Sequence, residues 1–323
     1  MFRQFESVVT RYLSPQFEAN QLLNTRSVWL QKEKINLCYA ELGDSANPVV
    51  VLLHGVPENL QAWYAVAPLL AENYHVLAFD WPGFGGSDSL SSLQDYTSSR
   101  FAGVIVDFLD SLQIDQATLV ASDIGLLPAL LVGLEHPERV AKLAVMDGIP
   151  FPRPQYSSWE LKSFAKKGSI LGKALVCWFP GITARISYLK GFYRGHSIPD
   201  EVRQVFLADG KSKSTQQAFL SYFQNFHIGQ DYFDSRADEL QTPVLVIWGK
   251  YDRFIDVKLG YEIATRLPNA SLEIIDKSGH YVHMDKPQEL VRVVTRFLAD
   301  LSDGRQRRHI PQTAKLVPAN LIA

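Results

Sequence analysis

Residues 119–127 read LVASDIGLL. A short apolar run reaches two polar residues, Ser122 and Asp123, and passes into LLPALLVGLE, an apolar stretch of helical length. Strand, sharp turn, helix is the local shape that lifts one side chain clear of a sheet for chemistry, and its usual form is G-x-S-x-G with serine at the centre. Here an aspartate follows the serine. The register of the turn therefore decides which residue is presented.

The same pattern repeats on both sides of this stretch. SVWLQ and INLCYAEL predict an opening hairpin. PVVVLLHG, HVLAFD, ATLVAS, VAKLAVMD, PVLVIWG and SLEIID predict further strands, and their lack of polar alternation marks strands covered on both faces. Helical patterns at about 59–72, 99–112, 125–136, 256–266 and 287–301 lie between most of them. This alternation predicts an α/β fold, a mostly parallel central sheet with helices on both faces.

Roughly ninety residues between Asp147 and Pro243 break the rhythm. They hold no clear strand, are rich in Phe, Tyr and Trp, and are too apolar for a linker, so they predict an inserted helical lid over the strand ends. The expected division is an N-terminal extension, helical, over 1–26; a core over 27–149 and 241–302; the lid (cap) over 150–240; and a C-terminal tail over 303–323. Phe2, Phe5, Val8, Val9 and Leu13 give the extension helical spacing, and the RQRR cluster of the tail reads as a solvated charge run.

The chain has 323 residues and 46% hydrophobic content, enough to bury a large core. Formal net charge is −2, so no whole-chain field points to nucleic acid or an anionic membrane. Cys38 and Cys177 lie far apart without metal-ligand spacing, which predicts no disulfide framework, no metal site and a reducing, cytoplasmic compartment. No stretch approaches the roughly 20 apolar residues of a membrane helix. The N-terminus carries charges through its apolar part and has no small-residue cleavage site, so it does not read as a signal peptide.

Sites in open α/β sheets lie beyond the carboxyl ends of the strands. After VVVLL comes His54-Gly55-Val56-Pro57-Glu58; after TLVAS, Asp123; after VLVIWG, Lys250-Tyr251-Asp252; after LEIIDKSG, His280. Asp123, Asp252 and His280 thus follow the chain order nucleophile, acid, base. From about residue 25 to 302 the sequence resembles α/β-hydrolase-fold enzymes with an aspartate nucleophile. HGVPENLQAW and SGHYVHMDKPQEL resemble the soluble epoxide hydrolases, and the dehalogenases share that scaffold.

The register of the turn follows from sterics. It needs small residues two before and two after its centre, because the helix crowds the strand. Centred on Asp123 these are Ala121 and Gly125; centred on Ser122 they are the β-branched Val120 and Ile124. Asp123 fits. A carboxylate nucleophile attacks an sp³ carbon and forms an alkyl-enzyme ester, which water then hydrolyses. His280 is the expected base for that water and Asp252 the acid that orients it, with Asp147, at the end of VAKLAVM, as the alternative acid. The N–H groups of Val56 and Ile124 are the expected oxyanion hole, and Pro57, a candidate for a cis bond, holds the turn that aims Val56. His283 and His54 read as structural.

Two leaving groups suit such a nucleophile. An epoxide oxygen needs a positioned acid, and the resemblance implies two lid residues, commonly tyrosines, for that task. Tyr222 falls at the second position; the first is occupied by Trp178, with Tyr188 and Tyr193 later. The dehalogenase alternative lacks its usual halide donors, since Ile124 stands where Trp is expected and Val56 where Asn is common. The sequence therefore points to an epoxide hydrolase giving a vicinal diol. A haloalkane or haloacid dehalogenase is the alternative, and a non-catalytic ligand binder of the same fold a further one. The resemblance implies no cofactor. The expected partner is a small, mainly apolar substrate, with no nucleic acid or membrane, and the chain acts as a monomer or homodimer.

Overall fold

The computed structural model describes residues 22–195 and 198–300. The residues expected to form the N-terminal helix lie outside this range up to position 21, as does the tail from 301 onward. Eight strands form one sheet: β1 (Thr25–Leu30), β2 (Ile35–Leu42), β3 (Val49–Leu53), β4 (His75–Phe79), β5 (Ala117–Ser122), β6 (Val140–Met146), β7 (Val244–Gly249) and β8 (Ala270–Ile275). The order is β1-β2-β4-β3-β5-β6-β7-β8. β2 is antiparallel to β1 and to β4, and the remaining pairs are parallel.

The central strands are apolar on both sides because both sides are covered. Val51, Leu53, Leu119, Ala121, Val246 and Trp248 face one core with the helices Ser98–Ser111, Leu126–Glu135 and Lys258–Arg266. Their alternate neighbours Val50, Leu52, Val120, Leu245 and Ile247 face the other, with Trp63, Leu70 and Leu290, Val293 and Val294 of the Pro287–Ala299 helix. Each fully buried Val, Leu or Ile contributes about 1.5–3 kcal/mol to this packing.

The helix expected over 59–72 is two short turns, Leu60–Trp63 and Ala67–Leu70. Pro68 explains the break, because its ring suits the first turn of a new helix and its missing N–H cannot continue an old one. Between β6 and β7 the chain forms helices Trp159–Ala165, Ile170–Lys173, Pro180–Gly191, Asp200–Asp209, Lys213–Asn225 and Gln230–Arg236, with a wide π turn at Ala174–Trp178.

Strand order sets the position of the site. From β3 the chain steps to β4 on one side, then returns to place β5 on the other. The loops leaving β3 and β5 therefore diverge at a topological switch point, where a crevice forms. They carry Val56 and Asp123.

Candidate active site

Asp123 directly follows β5 and adopts φ +49°. A left-handed non-glycine residue costs about 1–2 kcal/mol, so packing must hold it there. The surroundings are built for that. A Cβ on Gly125 would meet Leu53 Cβ at 3.1 Å, on Gly55 would meet Asp123 Cβ at 2.8 Å, and on Gly148 would meet the Asp123 carbonyl oxygen at 2.4 Å. Gly125 is small for the reason the spacing required.

The loop leaving β3 meets the carboxylate directly. The Val56 N–H donates to Asp123 Oδ2 at 3.0 Å, and the Val56–Pro57 peptide is cis. Oδ1 carries no hydrogen bond among the described residues. His54 holds the loop: Nδ1 contacts the Gly55 carbonyl at 2.7 Å, and Nε2 accepts the Trp81 N–H at 3.1 Å. An accepting Nε2 is a neutral imidazole, and burial lowers the His54 pKa to about 4. Glu58 Oε2 accepts from the Gly55 N–H at 3.3 Å and lies 3.2 Å from His283 Nε2. Burial pushes the Glu58 pKa up, and the nearby His283 outweighs it, leaving Glu58 below its ordinary value. Both histidines read as structural are thus built into the walls.

His280 Nε2 stands 3.9 Å from Asp123 Oδ2, and its Nδ1 contacts Asp252 Oδ2 at 2.8 Å. The other oxygen of Asp252 accepts the N–H groups of Phe254 (2.7 Å) and Ile255 (3.1 Å), which anchors the carboxylate beside the imidazole. Burial disfavours the imidazolium, but Asp252 and Asp123 together outweigh it and raise the His280 pKa well above 6.5. Asp147 ends β6 at φ +50° and is fully buried. Its Oδ1 accepts the Gly249 N–H at 3.1 Å, and its Oδ2 has no partner. Burial and the charge of Asp252 raise its pKa well above 3.8. Of the two carboxyls considered for the acid, Asp252 touches the imidazole and Asp147 contacts the Gly249 N–H instead.

The two lid candidates are placed differently. Trp178 is 60% exposed, on the outer side of the π turn, and does not reach the carboxylate. A one-residue widening of the helix rotates it outward, which spacing along the chain cannot reveal. Tyr222 is buried near Asp123 and Ile124, yet its hydroxyl donates to the Ile124 carbonyl at 2.9 Å and contacts Ser98 Oγ at 3.0 Å. Its proton fastens the turn after Asp123.

The cavity in front of Asp123 and His280 is mostly apolar, walled by Leu161, Phe164, Leu175, Phe219, Phe223 and Phe254. Four polar side chains interrupt it. Lys190 Nζ holds both oxygens of Glu160 at 2.7 Å, and Thr183 Oγ1 donates to the Leu175 carbonyl at 2.5 Å. The remaining two are Ser187 and Tyr281. The Tyr281 ring lies flat on Gly191, where a Cβ would meet it at 2.1 Å, and is flanked by Phe192 at 5.0 Å and His280 at 5.3 Å. Sequence reasoning passed over Tyr281; its signal was its place directly after His280. Beyond the Pro57–Ser187–Tyr281 wall a second apolar space continues past Tyr188, Phe206 and Pro180.

A sheet of this order, with a polar turn residue after β5 and a histidine after β8, defines an α/β hydrolase. The chain belongs to the alpha/beta hydrolase fold family, whose pattern it matches over residues 48–175 and 185–287, and is a hydrolase. It is 27% identical over 285 residues to epoxide hydrolase 3 of Xenopus tropicalis, covering 82% of this chain and 75% of that one. It is also 27% identical over 290 residues to 2-hydroxy-6-oxononadienedioate/2-hydroxy-6-oxononatrienedioate hydrolase 2 of Pseudomonas putida, covering 82% and 92%. Epoxide hydrolase A from Mycobacterium thermoresistibile superposes with a TM-score of 0.72 at 22% identity, covering 86% and 99%, a likeness of fold. No helix among the described residues is long and apolar enough to cross a membrane.

Proposed function

We propose that this hydrolase opens epoxides through an ester on Asp123. Oδ1 attacks an epoxide carbon as the carbon–oxygen bond breaks, and the departing oxygen takes the Tyr281 hydroxyl proton. Tyr281 lines the same cavity as Asp123 and His280. Oδ2, already on the Val56 N–H, becomes the ester carbonyl oxygen and then the oxyanion when water attacks. His280 accepts the proton of that water and passes it to the leaving alkoxide. The second water proton, left on the regenerated Asp123, returns to Tyr281. The net change is addition of one water to give a vicinal diol.

The observation that carries this reading is a carboxylate at the left-handed turn residue, with one oxygen on a backbone donor, the other unengaged, and His280 within 3.9 Å. The likeness to epoxide hydrolase 3 of Xenopus tropicalis supports it. The helices between β6 and β7 act as the lid, and the apolar walls select a mainly apolar epoxide.

The test is a single turnover in ¹⁸O-water with enzyme in excess over an aryl epoxide. The label is expected in the Asp123 carboxylate and not in the first diol. Label entering that diol with Asp123 unlabelled, or an adduct on Ser122, would overturn the proposal.

A further inference from the structure

The surface of residues 159–190 is unlike the rest of the molecule. Trp159, Ile170, Leu171, Trp178, Phe179, Ile182 and Leu189 are each more than half exposed. Between them stand Lys162, Lys166, Lys167, Lys173 and Arg185, all exposed and without an acidic partner among the described residues. The one acid of the segment, Glu160, is neutralised by Lys190. A chain with net charge −2 thus carries a compact cationic and apolar face.

The segment is one body. A Cβ on Gly172 would meet the Ser163 carbonyl at 2.8 Å, and Thr183 Oγ1 donates to Leu175, so the four helical pieces lock together. The Pro180–Gly191 helix has two working sides. Thr183, Ile186 and Ser187 line the cavity, whereas Ile182, Arg185 and Leu189 are exposed. Pro180 and Gly181 of this helix also border the outer end of the apolar space that continues from the site.

We propose that this face docks on an anionic lipid bilayer and that apolar substrate enters from the lipid along the Pro180–Gly191 helix. Exposed Trp, Phe, Ile and Leu sink to the headgroup level while the surrounding Lys and Arg meet anionic headgroups. A second copy of the chain is the poorer occupant, because a twofold contact would bring the same five unpaired cations face to face. The expectation of no membrane contact rested on charge averaged over the whole chain, and that average hides this face.

The test is co-sedimentation of the full chain with vesicles of phosphatidylcholine alone and of phosphatidylcholine with phosphatidylserine, at low and physiological salt. Binding is expected to the anionic vesicles and to weaken with salt. Neutralising a lysine costs about fivefold in partition, so Lys166→Glu with Lys167→Glu should weaken binding by at least tenfold. Ile170→Ser with Leu171→Ser should weaken it at both salt concentrations. Both double variants should keep wild-type melting temperature and turnover of a water-soluble epoxide, so a folding defect is visible separately. Absence of anionic-vesicle binding, or binding unmoved by both double variants, overturns the proposal. So does a concentration-dependent dimer that the lysine reversals alter. Vesicle binding is read without turnover, so its failure is distinct from failure of the epoxide reading.

Discussion

Replacing Tyr222 by Phe separates two roles that one hydroxyl could serve. The ring stays, and with it the contact to Phe101 at 4.9 Å. Only the hydroxyl leaves, stripping a buried donor from the Ile124 carbonyl and a partner from Ser98 Oγ. A buried polar group without its partner costs about 1–3 kcal/mol, which is the expected loss of unfolding free energy in urea. A ring-opening acid would instead show in the first chemical step, where a positioned acid is worth roughly 10²–10⁴-fold. The assay is rapid-quench measurement of ester formation on Asp123 beside equilibrium unfolding, with His280→Gln as the common background so that the ester persists. The geometry predicts a destabilised protein whose ester-formation rate falls by less than about tenfold, equivalent to 1.4 kcal/mol. Unchanged stability with a drop of roughly a hundredfold or more would refute the reasoning and return Tyr222 to the reacting oxygen.

Tyr281→Phe should show the opposite pattern. Ester formation from an epoxide should fall by roughly 10²–10⁴-fold, while alkylation by an alkyl iodide, whose leaving group needs no proton, stays near wild type; equal losses for both would make Tyr281 a packing residue. His280→Gln incubated with an epoxide should gain the mass of the whole epoxide on the peptide containing Asp123, seen by mass spectrometry; no adduct there would sink the ester. Asp147→Asn should raise stability at neutral pH and keep turnover. The Asp147 pKa is raised in the folded state, so its contribution is complete below the unfolded value of about 3.8 and is lost as pH rises toward the folded one. Unfolding free energy from acid to neutral pH should therefore slope downward less in the variant, and a collapse of turnover would instead make Asp147 the working acid.

Strands and the tight turn at Asp123 were legible because their causes are local. Two-sided burial writes unbroken apolar runs such as VVVLL and ATLVAS, and all eight expected strands form. Crowding of helix on strand writes Ala121 and Gly125 around Asp123, and Gly125 does lie against Leu53. The lid residues were not legible because their causes are distant. Whether Trp178 faces in or out depends on one widened turn, and whether Tyr222 offers its proton depends on a carbonyl 98 residues away in sequence. Tyr281 was missed for the same reason: its seat on Gly191 lies on the inserted helix.

Charge ties the two halves of the proposed reaction together. In the resting site His280 lies between Asp123 and Asp252, which together favour its charged form against the penalty of burial. An imidazolium cannot accept a proton from water. Alkylation removes the charge of Asp123, and with it one of the two carboxylates that favour the charged ring. The balance then shifts toward the neutral ring, the form that accepts the water proton in the step that follows. A third ionised carboxyl beside these groups would add to the pull toward the charged ring. Burial first, and then the charge of Asp252, push the Asp147 pKa up and weaken that pull. The change at Asp123 on alkylation therefore weighs the more on the ring that must act as base.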